Sequence, residues 1–502
     1  MQKKRASPSR PKRLSKSRLI DYLQCPRKLW LKVHMRNSEQ GDHDPVSRFH
    51  AEKGQQVGEI AQSLYPKGVL IKGQAEGVSL TESLHQTQHE LQRSRRRPLF
   101  EATFEHKGVL VRADLLIPER GGRWRLIEVK SSHNPKQHYY TDIAIQRYVL
   151  EQNGLTLSGV ELAHINGNFV YKGMRNHSGL LTFVDVWDES DEYIDEIPSW
   201  VRQAQSTLSK RKPRVPSEPQ CNKPYLCPFI DECFSEHNND EHPLEDLYYK
   251  GKIVTQLYDE GYTDLSEVPV ERAKKPEHRI HIQSIHEDRA VRRRILRDTV
   301  SNLAYPRYYL DFETASTPVP DWKNTRPHQQ VPFQWSCHKE SKSGKVDHFD
   351  FLHNKSSDPR PGFIKSLTST LGKRGPILVY TNFERDRLRE LQRDFPKWKE
   401  KIENIINRLV DLEAIVRGNY HHPSMRGSWS LKSVAPTIHP RFDYSDMEIG
   451  SGKIAAVSFF EMISLDTTKS RKEEIYQQLL KYCEMDTEVM VMMVRRFSKA
   501  RW

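Results

Sequence analysis

The chain has 502 residues, 36% of them hydrophobic and 29% charged, with 79 Lys and Arg against 66 Asp and Glu and a formal net charge of +13. That length exceeds what one hydrophobic core serves and implies roughly two to four domains, and a basic excess over a large acidic background favours a polyanionic partner over a plain basic tail. No apolar run is long enough to span a bilayer and no signal-peptide core is seen, and six cysteines in so long a chain exclude a disulfide scaffold, so the expected setting is the reducing cytoplasm.

Taken in order, Lys3 to Arg18 is a basic arm rich in Ser and Pro. Leu14 to Leu31 reads as an amphipathic helix with a serine cap, broken at Pro26 so that Cys25 sits at the junction. Residues 50 to 65 and 79 to 94 read as two further helices. Gly108 to Ile117 and Trp124 to Ser132 are rich in β-branched and aliphatic residues, with Pro118, Gly121 and Gly122 between them, and so read as a hairpin. Because strand side chains alternate, Glu128 and Lys130 share a face that Asp114 can join. Two carboxylates suit Mg²⁺ or Mn²⁺, and such an ion can turn water into a nucleophile beside a phosphodiester while the lysine neutralises charge.

Gln137 to Gln152 has helical spacing of its apolar residues and ends at Asn153-Gly154, and Leu155 to Phe183 returns to strand character with a turn at Asn166-Gly167. An acidic stretch, Asp185 to Glu196, precedes a helix and the basic, Pro-rich segment Lys210 to Pro219. Cys221, Cys227 and Cys233 then stand at equal spacing; with the distant Cys25 they supply four soft thiolates, which suit an iron-sulfur cluster or zinc.

Residues 244 to 300 read as a helical connector whose charged helix ends at Arg292 to Arg297. Beyond it, Tyr308-Tyr-Leu-Asp311-Phe-Glu313 is an apolar strand carrying two acids on one face. Pro376 to Leu388 is a buried strand turning into a helix, with Glu384 at the junction and Asp386 as an alternative acid. Tyr482 and Asp486 lie four residues apart on one face of a C-terminal helix. The segment from Val410 to Lys432, with Asp411, His421, His422 and Arg426, reads as a loop of ordinary polar residues, with phosphate contact beside the second group of acids as the alternative.

Residues 50 to 150 resemble the PD-(D/E)XK nuclease fold of the RecB type. The match is Ala-Asp114, Ile-Glu128-Val-Lys130-Ser-Ser and Asp142-Ile-Ala-Ile-Gln146-Arg-Tyr148. The resemblance implies metal-dependent DNA cleavage, with Asp114 and Glu128 as ligands, Lys130 beside the attacked phosphate, and Gln146 and Tyr148 as the element that follows the active site. Members usually carry a histidine ligand on a helix beginning Gly-x-x-Val; here Gly54-Gln-Gln-Val57 is followed by Gly58 and Glu59. Either Glu59 or His50 substitutes, or that metal position is weakened. One early cysteine plus three after the core resembles the clasp of AddB-type and CRISPR-associated relatives, which implies a 4Fe-4S cluster, with zinc as the alternative.

Leu303 to Trp502 resembles the DEDD exonucleases of the RNase H-like fold. This implies a two-metal 3′-5′ exonuclease with Asp311, Glu313, Glu384 (or Asp386) and Asp486 as ligands and Tyr482 orienting the attacking water. The whole chain resembles bacterial fusions of the two modules that share Leu-Ser-Lys-Ser-Arg, Leu-Gln-Cys-Pro and Tyr-Cys-x-x-Asp-Thr. The expectation is therefore an α/β protein with a nuclease domain over 1–243, a connector over 244–300 and an exonuclease-like domain over 301–502. Its partner is nucleic acid, DNA ahead of RNA; a binding subunit with silent sites and an RNA nuclease remain open, and the sequence names no protein partner.

Overall fold

A computed structural model describes residues 13–35, 44–214, 219–235, 241–248 and 251–500. It is a mixed α/β protein in two compact units, Met1–His237 with Thr317–His328, and Asn238–Ser316 with Gln329–Trp502. The stretch 244–300, expected as a connector, thus belongs to the second unit. The arm upstream of Arg13 and part of the segment from Lys210 to Pro219 lie outside the described residues. Among the described residues no helix is long and apolar enough to cross a membrane.

The first unit opens with β1 (Leu14–Ser15), α1 (Lys16–Gln24) and α2 (Pro26–His34). The Ser15 hydroxyl accepts the Arg18 N–H at 3.3 Å and so caps α1, and Pro26 starts α2, where its missing N–H costs nothing. Then come α3 (Pro45–Ser63), β2 (Val69–Leu70), α4 (Leu80–Leu91), β3 (Leu99–His106), β4 (Val109–Pro118), β5 (Trp124–Lys130), α5 (Gln137–Gln152), β6 (Leu157–Ile165) and β7 (Leu181–Asp185). The acidic stretch expected to precede a helix is itself α6 (Trp187–Ile194), followed by α7 (Ile197–Ser209) and α8 (Ile230–Ser235). The sheet runs β2-β3-β4-β5-β6-β7, with β1 added in parallel beside β4. Antiparallel β3-β4-β5 gives way to parallel β5-β6, which α5 makes possible by crossing over between them. Helix α5 is buried almost all round, and Ile143, Ala144, Ile145, Val149 and Leu150 join the core with Leu116, Leu126 and Leu162.

The second unit begins with α9 (Gly251–Asp259) and α10 (Pro276–His286). The charged helix expected to run on to Arg297 is interrupted. Asp288 takes a left-handed φ of 44°, Val291–Arg292 forms β8, and α11 (Arg294–Ser301) starts afresh. A chain that leaves the helical basin at one residue ends the helix there. Next are β9 (Arg307–Ala315), β10 (Val331–Glu340), β11 (Val346–Leu352), α12 (Arg360–Thr370), β12 (Ile377–Val379), α13 (Phe383–Asp394), α14 (Lys399–Ile406), β13 (Leu409–Asp411), α15 (Leu412–Val416) and β14 (Tyr420–His421), which pairs with β8. The chain closes with α16 (Leu431–Ile438), α17 (Gly452–Ile463) and α18 (Lys469–Ser498).

Its main sheet has the order β11-β10-β9-β12-β13, antiparallel across β9, β10 and β11 and parallel from β9 to β12 and β13. Strand β9 is central, which is why Tyr308, Tyr309, Leu310 and Phe312 form a nearly continuous apolar run. Helix α18 buries Ile475, Leu479, Tyr482, Cys483, Asp486, Met490 and Val494. That is the recurrence of one helix face, and it brings Asp486 in with the apolar residues.

Candidate active sites

Strands β4 and β5 pair at Leu115 with Ile127 and Leu116 with Leu126, and the ladder stops one step before Asp114 and Glu128. The Val129 N–H that leaves the ladder goes to Asp114 Oδ2 at 2.7 Å. Local pairing is thus replaced by a carboxylate contact, and the acidic side chains face a cleft of about 810 Å³ lined by Glu59, Glu101, Arg112, Asp114, Glu128, Lys130 and others. Lys130 Nζ donates to Glu128 Oε1 at 2.6 Å and to Asp142 Oδ2 at 2.5 Å, and Gln146 Nε2 donates to Glu128 Oε2 at 2.5 Å. The strand face and the α5 face read from the sequence therefore meet.

Other expected residues are placed differently. Tyr148 packs in the core, its ring edge-on to His106, while Tyr139 lines the cleft with Lys130 Nζ 5.0 Å from its ring centre. Of the two substitutes for the histidine ligand, Glu59 lines the cleft and accepts from Gln55 at 3.1 Å, whereas His50 is exposed with its ring against Phe49. Among the described residues no third His, Cys, Asp or Glu ligand atom gathers with Asp114 and Glu128 within 4.8 Å.

Lys16 is the residue that sequence reasoning missed. Its ammonium lies 2.9 Å from Glu128 Oε1 and 3.0 Å from Asp142 Oδ1. Burial opposes a charge on Glu128, but Lys130 and Lys16 outweigh it and hold that carboxyl well below the usual range. Asp114, buried beside Glu128, is pushed well up. Lys16 lies within Leu-Ser-Lys-Ser-Arg, which carries no charge spacing that would link it to Glu128.

The four cysteines line one small cavity, with Cys25 between α1 and α2 and Cys221, Cys227 and Cys233 around a loop and α8. Gln24 Nε2 donates to the carbonyls of Gln220 at 2.8 Å and Tyr225 at 2.7 Å, which fixes the late loop against α1. Burial raises the Cys227 and Cys233 thiols, and Lys28 and Arg27 respectively counter it. All four are free thiols. Four sulfur donors suit a thiolate centre in donor type; among the described residues no three of these sulfurs lie within 4.8 Å of one another, and Lys28 is paired with Asp21 at 2.8 Å.

In the second unit, one oxygen each of Asp311, Glu313 and Asp486 lie within 4.8 Å of one another. Asp311 and Glu313 reach this point from one face of β9, and Asp486 from α18. Glu384, in the first turn of α13, is buried, has no hydrogen-bond partner for Oε2, and is pushed up by burial and then by Asp311. Asp386 points outward, 3.8 Å from Arg389. Two residues along a helix turn a side chain far round the axis, so Glu384 is buried while Asp386 stays outside. Thr381, with φ 89°, turns the chain sharply ahead of α13.

Around these acids stand Tyr444, Tyr482 and Lys432. The Tyr444 hydroxyl donates to Asp486 Oδ1 at 2.5 Å, and Lys432 Nζ lies 5.1 Å and 5.2 Å from the ring centres of Tyr444 and Tyr482. Burial and then repulsion from Asp486 raise Asp311 well above the carboxylate range; burial likewise raises Asp486 to about 6, with Tyr444 and Lys432 pulling the other way. Four acids whose charge is this costly are suited to divalent cations. Of the segment from Asp411 to Lys432, Lys432 faces the acids, and Asp411 lies near enough to Glu384 to help raise it. Asp411 caps α15 through Ala414 N, buried His421 bonds Ser284, and Arg426 pairs with Asp246.

Comparison with known proteins gives a family model, one similar curated protein and one similar solved structure. Residues 308–430 match a domain of unknown function, DUF2779. The matched stretch includes Asp311, Glu313 and Glu384 and ends before Lys432 and Asp486. The chain is 23% identical over 220 residues to the uncharacterized protein MG366 of Mycoplasma genitalium, covering 39% of this chain and 33% of that protein, so it spans about a third of that relative's length. The solved protein SSO0001 is similar at 17% identity, over 47% of this chain and 88% of its own, with a TM-score of 0.20.

Proposed function

We propose that the chain is a Mg²⁺- or Mn²⁺-dependent nuclease that hydrolyses phosphodiesters, DNA ahead of RNA, with a RecB-like PD-(D/E)XK site in the first unit and a DEDD exonuclease-like site in the second. The observation that carries the reading is the meeting of Asp311, Glu313 and Asp486 within 4.8 Å, with buried Glu384 beside them. Three antiparallel strands continued by two parallel ones support an RNase H-like fold for that unit. In the first unit, Asp114, Glu128 and Lys130 around one cleft, with Gln146 on Glu128, support the PD-(D/E)XK reading.

Bound divalent ions would supply charge neutralisation and an activated water for in-line displacement. Asp311, Glu313, Glu384 and Asp486 would hold them in the second site, and Asp114 and Glu128, with Glu59 in reach of the cleft, in the first. Tyr482 is set to orient the water, and Tyr444 fixes the Asp486 carboxylate through its hydroxyl. Lys432 and Lys130 bring positive charge to where a phosphate gathers negative charge. Cys25, Cys221, Cys227 and Cys233 would hold a 4Fe-4S cluster, or zinc, tying the start of the domain to its end.

One observation favours a second reading, in which the first site only binds nucleic acid: both Glu128 oxygens are already taken, by Lys16 and Lys130 on one and Gln146 on the other. Labelled single- and double-stranded DNA and RNA, incubated with wild type, Glu128→Ala, Asp311→Ala and the double variant, separate the two. Cleavage in both single variants and none in the double means two active sites. Loss in Asp311→Ala alone means a silent first site, and no cleavage of any substrate by wild type would sink the enzyme reading.

A further inference from the structure

The second unit carries another group of metal-binding side chains, on residues distinct from Asp311, Glu313 and Asp486. His338 of β10 and His348 of β11 face each other directly in the antiparallel ladder, with ring centres 4.6 Å apart. Glu484 reaches them from α18. One ligand atom of each of the three lies within 4.8 Å of the others. His348 Nδ1 is 3.5 Å from Glu484 Oε1, and 4.0 Å from Asp350 Oδ2, whose residue shares the His348 face of β11.

Hydrogen bonding decides which ring nitrogens stay open. The Thr487 hydroxyl gives its single proton to the Glu484 carbonyl at 2.9 Å, so it accepts in its other two contacts, from Ser336 Oγ and from His338 Nδ1, both at 2.8 Å. Ser336 has then spent its own proton and accepts from His348 Nε2 at 2.9 Å. In the neutral form each ring would carry its lone pair on the other nitrogen, His338 Nε2 and His348 Nδ1. That His348 lone pair would face the Glu484 carboxylate 3.5 Å away, an arrangement relieved by a metal ion or by a proton between them. His348 and Glu484 are open enough to solvent, at 24% and 48% exposure, for an ion to enter.

We propose that His338, His348 and Glu484 bind a divalent transition-metal ion, with Zn²⁺ the best match to two imidazoles and a carboxylate. The Ser336 and Thr487 hydroxyls hold the rings in the tautomers that ligation needs. Because Glu484 and Thr487 flank Cys483 and Asp486 on α18, an ion here fastens β10 and β11 to the helix that carries an acid of the neighbouring site.

Equilibrium dialysis of the full chain against Zn²⁺ at neutral pH, with metal content read by atomic emission, tests this. His348→Gln and Glu484→Gln are each expected to retain one equivalent fewer than wild type, to melt like wild type in EDTA, and to gain less melting temperature from Zn²⁺. Glu484 is half exposed, so its variant keeps the test valid if His348→Gln folds poorly. Zn²⁺ content equal to wild type in Glu484→Gln, or an equivalent lost only in Asp311→Asn, overturns the site. Equal content with a lower melting temperature in EDTA would show a protonated His348 paired with Glu484 instead.

Discussion

Lys16 Nζ stands 2.9 Å from Glu128 Oε1, so a lysine from the first helix neutralises an acid on the central hairpin. An ammonium at that distance competes with any divalent ion for the same oxygen. Like charges about 4 Å apart interact by about 4 kcal/mol near a protein surface, enough to govern metal affinity. Lys16→Met is expected to tighten Mn²⁺ binding at the first site by at least about tenfold. Calorimetric titration in an Asp311→Asn background measures it, and unchanged affinity would show that Lys16 swings clear when metal binds.

Glu384, whose Oε2 is buried without a hydrogen-bond partner, sets another expectation. Glu384→Gln should lower exonuclease turnover by about a hundredfold or more, the scale on which removing a key electrostatic group acts. Asp386→Asn, at an outward position, should stay within about twofold of wild type, because an exposed pair with Arg389 has little energetic weight. Both are assayed with Lys130→Ala present to silence the first site. Equal loss in the two variants would reject the assignment of Glu384.

A pH dependence follows from Asp486. Its carboxyl is raised to about 6 in the metal-free fold against 3.8 ordinarily. Between those values the folded chain holds a proton that the unfolded chain has released, so stability falls as pH rises through this window. Asp311, Glu313 and Glu384 are raised too and act in the same direction. Mn²⁺ expels these protons, so its stabilising effect should grow with pH. Melting temperatures with and without Mn²⁺, from about pH 5 to about pH 8, display both trends; stabilisation that shrinks with pH would contradict them.

Gly54 and Gly58 both line the first cleft, and a Cβ at either meets nothing within 4 Å. Alanine there should stabilise α3 by about 1 kcal/mol, since glycine is a poor residue inside a helix. If a nucleic-acid backbone passes over that bare helix face, Gly58→Ala will melt higher yet cleave more slowly at the first site. A more stable variant with unchanged cleavage would place the substrate elsewhere.

Cys227 is buried in the thiol-lined cavity and its amide bonds the Cys221 carbonyl at 2.8 Å. Cys227→Ser should abolish iron and acid-labile sulfide in anaerobically purified protein and lower the melting temperature, because the clasp between Cys25 and the late loop is lost. Zinc without iron in wild type would reject the cluster and keep the clasp.

Local pattern alone determined much of this protein: the hairpin with Asp114, Glu128 and Lys130, the helix carrying Gln146, the break at Pro26, and the apolar strand with Asp311 and Glu313. Period-two and helical recurrences, turn residues and caps all act within a few residues, so they are legible in one dimension. Tertiary structure decided what meets across distance. It placed Lys16 on Glu128 and Tyr148 in the core, turned Glu384 inward and Asp386 out, and brought Lys432 and Tyr444 to Asp486. It also set His338 against His348 and Glu484, which no spacing announces. Such encounters depend on the register of strands and the packing of α18 across them, and those are fixed only when the whole core is formed.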